Sequence, residues 1–207
     1  MGDEHRLAMF PVSTVLFPYG QLPLHVFEPR YRSLVTDCLA GDRHLGTVLI
    51  SRGSEVGGGD ERFDVGTAAR IEEAEPRADG RWHLVVGGLA PIRVRRWLDD
   101  RPYPSAVVED VVCAPTEDGD ELRLAHAELL RVRALLSELG QVPAIPPELS
   151  LGHSPDEIAW RLCGLAPVNP FDRQRLLEAP GPEDRLRLLL ELLHAVGDDV
   201  RRILSSG

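Results

Sequence analysis

The first residues with the makings of chemistry are the run Gly57-Gly58-Gly59-Asp60 and the acids Glu61 and Asp64 behind it. Glycines ahead of a helix can cradle phosphate on backbone N–H groups, usually with a Lys-Ser/Thr pair following. Here carboxylates follow, and they repel phosphate. The run reads as a surface loop whose glycines would let a peptide backbone come close. The spacing Asp60-Glu61-Arg62-Phe63-Asp64 does not fit a calcium loop, and no paired His accompanies it. No metal and no other cofactor is expected.

Nucleophile signatures are equally sparse. A serine elbow reads GxSxG, and the nearest text, Arg52-Gly53-Ser54-Glu55-Val56-Gly57, has the wrong spacing. The seven His are scattered, with no HExxH. All 23 basic residues are Arg, so a P-loop lysine, a Schiff-base lysine and a Ser–Lys dyad are excluded. Cys38, Cys113 and Cys163 lie far apart without a CxxC pair, and they read as buried or incidental thiols in a reducing compartment. The expectation is a protein that is not an enzyme.

The formal net charge is −10, and the acidity is shared: residues 1–113 carry 13 Arg against 17 acids, and residues 114–207 carry 10 Arg against 16. General affinity for nucleic acid or an anionic membrane is disfavoured, since phosphate binding needs a basic surface. Arg93, Arg95 and Trp97, with Trp82 on a neighbouring strand, offer a local stacking platform for RNA. A solvated strand face paired with nearby Asp or Glu accounts for the same residues. The opening MGDEHRLAMF has no apolar signal core, and no run reaches the roughly 20 apolar residues of a membrane span, so a cytoplasmic location is expected.

The elements that would position these residues change character along the chain. Residues 7–17 read as a first strand limited by Pro11 and Pro18. Residues 22–27 alternate, with Leu22, Leu24 and Val26 opposite Pro23, His25 and Phe27. Glu28-Pro29 opens a helix that buries Tyr31, Leu34, Val35 and Cys38 and ends at Gly41-Asp42. Strands are expected at 45–50, 65–72, 81–87, 91–98 and 105–112, with Arg77-Ala78-Asp79-Gly80 as a hairpin turn. After about residue 114, Leu122, Ala125, Leu129, Val132, Leu136 and Leu139 mark a helical seam. Pro143, Pro146 and Pro147 form a stiff linker. Helices follow from Ser154-Pro155, burying Ile158, Leu162 and Leu165, and from Asn169-Pro170. The last helix is expected to bury Leu186, Leu189, Leu190, Leu193 and Val196, then Ile203 or Leu204. The fold class is therefore α+β: a partly closed β-domain over residues 1–113 with one early helix, then a helical bundle over 114–207.

Residues 10–37 have a specific spelling. Phe10-Pro11, Val15-Leu16-Phe17-Pro18 and the run Leu22-Pro23-Leu24-His25-Val26-Phe27-Glu28-Pro29-Arg30-Tyr31 resemble the N-terminal substrate-binding domain of Lon proteases. Gly46 to Ile50, Val65 to Ile71 and the Trp82 to Trp97 region extend that resemblance, which covers most of the chain. It implies a PUA-like β pseudo-barrel followed by helices, used as a non-catalytic protein- and peptide-binding module. It also implies a stand-alone bacterial member, because no Walker motif and no lysine are present. The implied partner is a protein or unfolded-peptide client, with a protease system as the associate. His25, Phe27, Glu28, Arg30 and Tyr31 are then the expected partner-binding residues, Phe27 and Tyr31 as anchors and the others as polar orienters. PUA-like folds include RNA binders, so an RNA-binding protein using the Arg93, Arg95, Arg96 and Arg101 cluster is the alternative.

Overall fold

In the computed structural model the described residues are 4–53, 59–143, 145–146 and 149–205. They form two compact units that divide between Val112 and Cys113. The first holds strands β1 (Glu4–Val12) and β2 (Gln21–Val26), helix α1 (Pro29–Ala40), then β3 (His44–Arg52), β4 (Glu61–Pro76), β5 (Trp82–Trp97) and β6 (Ser105–Asp110). The sheet order is β2-β5-β4-β3-β1-β6, and β6 pairs again with β5. Five strands thus close into a ring, with β2 added outside it on β5. Ring closure removes edges that would otherwise expose unpaired backbone groups. The β1–β3 pair is parallel and every other pair is antiparallel. A parallel pair needs a crossover, which β2 and α1 supply.

Strand β1 buries both of its faces. Leu7 and Met9 join Val48, Ile92, Val94, Ala106 and Val108 in one core. Phe10 and Val12 join Leu24, Val26, Ile71, Leu84 and Val86, together with α1, in the other. This two-sided burial explains why β1 reads as a nearly continuous apolar run. The helix buries Tyr31, Leu34, Val35 and Cys38, the stripe expected from its spacing.

Three strand expectations change. The first strand ends at Val12, not Phe17; Val15, Leu16 and Phe17 are buried outside any strand. Pro11 sits inside β1, because β6 pairs only with Glu4 to Ala8 and leaves that side of Pro11 without a ladder to interrupt. The strands expected at 81–87 and 91–98 are one strand, β5. It pairs with β4 from Trp82 to Arg93, with β2 up to Gly87 and with β6 from Ile92. Gly88 and Pro91 fall in the gap between those two neighbours. There Gly88 donates to Gly20 O and accepts from Tyr19 N–H, both at 2.9 Å, and a Cβ on Gly88 would strike the carbonyl of Phe17. The turn at 77–80 is as expected, with Gly80 at φ +80° and its N–H donating to Arg77 O at 2.9 Å.

The second unit consists of α2 (Asp120–Glu138), α3 (Pro155–Leu165), α4 (Pro170–Glu178) and α5 (Pro182–Ser205). The α2 seam is buried from Leu122 to Leu136, and Leu139 is the C-terminal cap. Pro147 of the expected linker lies outside the described residues. Ser154 caps α3 by accepting from Glu157 N–H at 3.2 Å, and Asn169 caps α4 from Asp172 N–H at 3.0 Å. The α3 face is turned relative to expectation: Ala159, Trp160, Leu162 and Cys163 are buried, while Ile158 and Leu165 are half-buried. In α5, Leu186, Leu189, Leu193 and Val200 are buried, Leu190 and Val196 half-buried and Ile203 exposed; the Leu204 side chain lies outside the described residues. Arg185 takes a core position, its guanidinium 3.6 Å from the centre of the Trp160 ring and its Nε donating to Leu176 O at 3.3 Å. A buried charge held by a ring face and a carbonyl is a tertiary arrangement that periodicity does not reveal.

Two outcomes test this packing. Gly88→Ala should lower stability by about 1–3 kcal/mol, measured by urea unfolding, because the added methyl meets backbone and not a mobile side chain. Burial pushes the thiol of Cys38 up to about 11 and that of Cys163 up to about 12, whereas Cys113 is exposed. A thiol-reactive dye at pH 8 should therefore label Cys113 alone in the folded protein and all three thiols in denaturant.

Candidate functional site

The segment from β2 through the first turn of α1 spreads its side chains over several environments. His25 points outward, where its ring lies over His83, centroids 4.4 Å apart. His83 Nδ1 in turn accepts from Arg77 at 2.7 Å, and Arg77 also pairs with Glu75 at 3.2 Å. Phe27 is 49% exposed at the end of β2. Glu28 occupies the N-cap position of α1 without accepting a capping bond; its carboxylate meets Arg30 at 3.2 Å instead. Arg30 lies 4.5 Å over the ring of Tyr31, which stacks on Phe10 at 4.4 Å. Tyr31 is 4% exposed, and burial pushes its phenol up to about 12. Of the five expected residues, Phe27 and His25 meet solvent, Glu28 and Arg30 brace the turn, and Tyr31 is part of the core.

The opposite stripe of α1 builds a groove. Pro29, Arg32, Ser33, Thr36 and Asp37 fall at helical spacing on the side away from the core. They face Pro76, Gly80, Arg81 and Trp82 of the β4–β5 hairpin across a concavity of about 620 Å³. Ser33 and Thr36 donate back to the carbonyls of Pro29 (3.2 Å) and Arg32 (3.0 Å). Asp37 accepts from the Tyr103 hydroxyl at 2.9 Å, and Arg81 pairs with Asp79 at 3.2 Å. Arg32 makes no ion pair among the described residues, and its guanidinium rests where a side chain on Gly80 would lie. None of these groove residues belongs to the expected set, although Pro29 lies between two of its members. The signal was present as a helical stripe, but its second wall comes from a hairpin distant in sequence, Pro76 to Trp82.

A second cleft of about 470 Å³ surrounds Arg62. Arg62 bonds Asp60 at 2.5 Å and Asp100 at 3.0 Å, and its guanidinium lies 4.6 Å over Trp97. The Asp60 and Arg62 side chains are only 2% and 9% exposed. Burial opposes the Asp60 charge, but hydrogen bonds and attraction from Arg62 outweigh it and hold the carboxyl below its usual range. Asp60 is thus committed to an arginine. Among the described residues no three His, Cys, Asp or Glu are grouped to hold a metal, and Gly57 and Gly58 lie outside them.

Of the two readings of the Arg93, Arg95 and Trp97 face, the strand face paired with an acid is the one the contacts support. Trp82 and Trp97 end the same strand, separated by about 50 Å of extended chain. A register shift follows Val94, and Arg95 is bound to Glu109.

The sequence matches over residues 6–195 a family model described as the ATP-dependent protease La (LON) substrate-binding domain. Lon protease 2 of Myxococcus xanthus is 30% identical over 186 residues, which are 88% of this chain and 22% of that protein. The Lon protease of Anaeromyxobacter dehalogenans is 29% identical over 202 residues, 94% of this chain and 24% of the relative. The chain therefore spans about a quarter or less of these curated relatives. Among solved structures, a Lon N-terminal domain protein from Xanthomonas campestris superposes with a TM-score of 0.65 at 31% identity, covering 90% of this chain and 98% of that one. The N-terminal domain of Mycobacterium avium complex Lon protease, at 18% identity and a TM-score of 0.60, shares the fold.

The Arg62 cluster makes a pH-dependent contribution. A carboxylate with a depressed folded pKa stabilises the fold at pH values above its unfolded pKa, and that stability is lost as pH falls through the folded value. Asp60→Ala should cost about 2 kcal/mol at pH 7, read by urea unfolding, because Arg62 stays buried with half its partners gone. The gap between variant and parent should narrow below about pH 4.

Proposed function

This chain belongs to the Lon substrate-binding domain family, and from that premise we propose that it is a non-catalytic module that binds protein clients through short unfolded or extended segments. The observation that carries the reading is the groove beside α1, in a chain matched to that family over residues 6–195. A concavity of this size is in the range that takes several side chains of a ligand. Phe27 supplies an exposed aromatic at the head of α1, and His25 an outward polar ring beside it. Glu28 and Arg30 hold the turn that presents them, and Tyr31 anchors that turn in the core. Partnership with a protease system and a cytoplasmic setting complete the proposal. Among the described residues no helix is long and apolar enough to cross a membrane.

Fluorescence anisotropy with labelled peptides tiled from an unfolded protein tests the reading. Binding in the micromolar range is expected for a subset of peptides, and Phe27→Ala should weaken it roughly fivefold, the value of about 1 kcal/mol. Failure of every peptide to bind at millimolar protein would overturn the proposal.

A further inference from the structure

Resting on that peptide-binding reading, we infer that the groove between α1 and the β4–β5 hairpin selects extended client segments that carry an acidic side chain next to a large apolar one. Arg32 receives the carboxylate and Trp82, flanked by Pro29 and Pro76, receives the apolar group. The argument begins with charge. The chain carries −10, yet this groove is lined by two arginines and one acid. The acid, Asp37, is engaged by the Tyr103 hydroxyl, and Arg81 is engaged by Asp79. Arg32 is left as the groove cation with no ion partner among the described residues.

Its guanidinium also has room at the hairpin turn. The absence of a side chain at Gly80 lets the guanidinium lie against the turn backbone, and its own stem rises from a rigid helix. A planar guanidinium presents two parallel N–H groups to a carboxylate. Trp82 is half-buried at the start of β5, opposite Val26 of β2, so its position is set by the sheet. A rigid aromatic beside a cation reads an acidic–apolar pair and disfavours a basic residue at the same register.

The test uses three labelled ten-residue peptides, identical except for Asp, Asn or Lys beside a Phe, titrated with the full chain and with Arg32→Gln and Arg32→Glu. The Asp peptide should bind the parent about tenfold more tightly than the Lys peptide, with Asn between. Arg32→Gln should erase the ranking and Arg32→Glu should reverse it. Equal affinities in the parent, or an Asp preference that survives Arg32→Glu, would overturn this inference while leaving peptide binding itself intact. No binding of any peptide to the parent would overturn both. Thermal unfolding of each variant confirms that the ranking is read on folded protein.

Discussion

Strand β5 carries the first unit because it serves two sheets' worth of neighbours with one chain. Its first six residues pair with β2, and its last six, apart from Arg95 at a register shift, pair with β6, while β4 pairs on the other side from Trp82 to Arg93. Without that change of partner the ring would open, and β5 and β6 would each present an unpaired edge. The change happens where the backbone needs no ladder on one side, at Gly88 and Pro91. Each residue is suited to the gap for its own reason. Glycine admits the Phe17 carbonyl at close range, and proline has no N–H to leave unsatisfied.

Closure of the ring then fixes where a ligand could go. With β1 buried on both faces and α1 laid over one core, the helix must turn Tyr31, Leu34, Val35 and Cys38 inward. Its other stripe is forced toward the β4–β5 hairpin, and the groove is the space between. The groove is therefore a by-product of packing whose α1 wall is mostly polar because it lies on the solvent side of an amphipathic helix. A site on a helix and a tight hairpin is held more firmly than one on a free loop.

Electrostatics in this protein are local. Arg123, Arg131, Arg175, Arg187, Arg201 and Arg202 each pair with an acid three residues earlier on the same helix. Such pairs at the helix surface contribute little to stability, because water screens them and holding two long side chains together costs entropy. The Asp60–Arg62 pair differs because both partners are withdrawn from water, so removing either strands a charge. The loop that reads as a free acidic run in the sequence is, at Asp60, already neutralised.

The sequence by itself determined the class of fold, the α1 stripe, the hairpin at 77–80, the caps at Ser154 and Asn169 and the family. Each of these rests on short-range rules, in which a residue's neighbours within a turn or a strand decide its state. The resemblance rested on the spelling from Leu22 to Tyr31, most of which builds the fold. Only the tertiary structure decided that β5 is one strand, since Gly88 and Pro91 read as breaks until the missing neighbour strand is seen. It decided that Arg185 is a core residue, that Trp82 and Trp97 stand at opposite ends of β5, and that Arg32 faces Trp82. The reason is the same in every case: these are meetings of residues distant in sequence, and periodicity carries no information about which distant surface a side chain will meet.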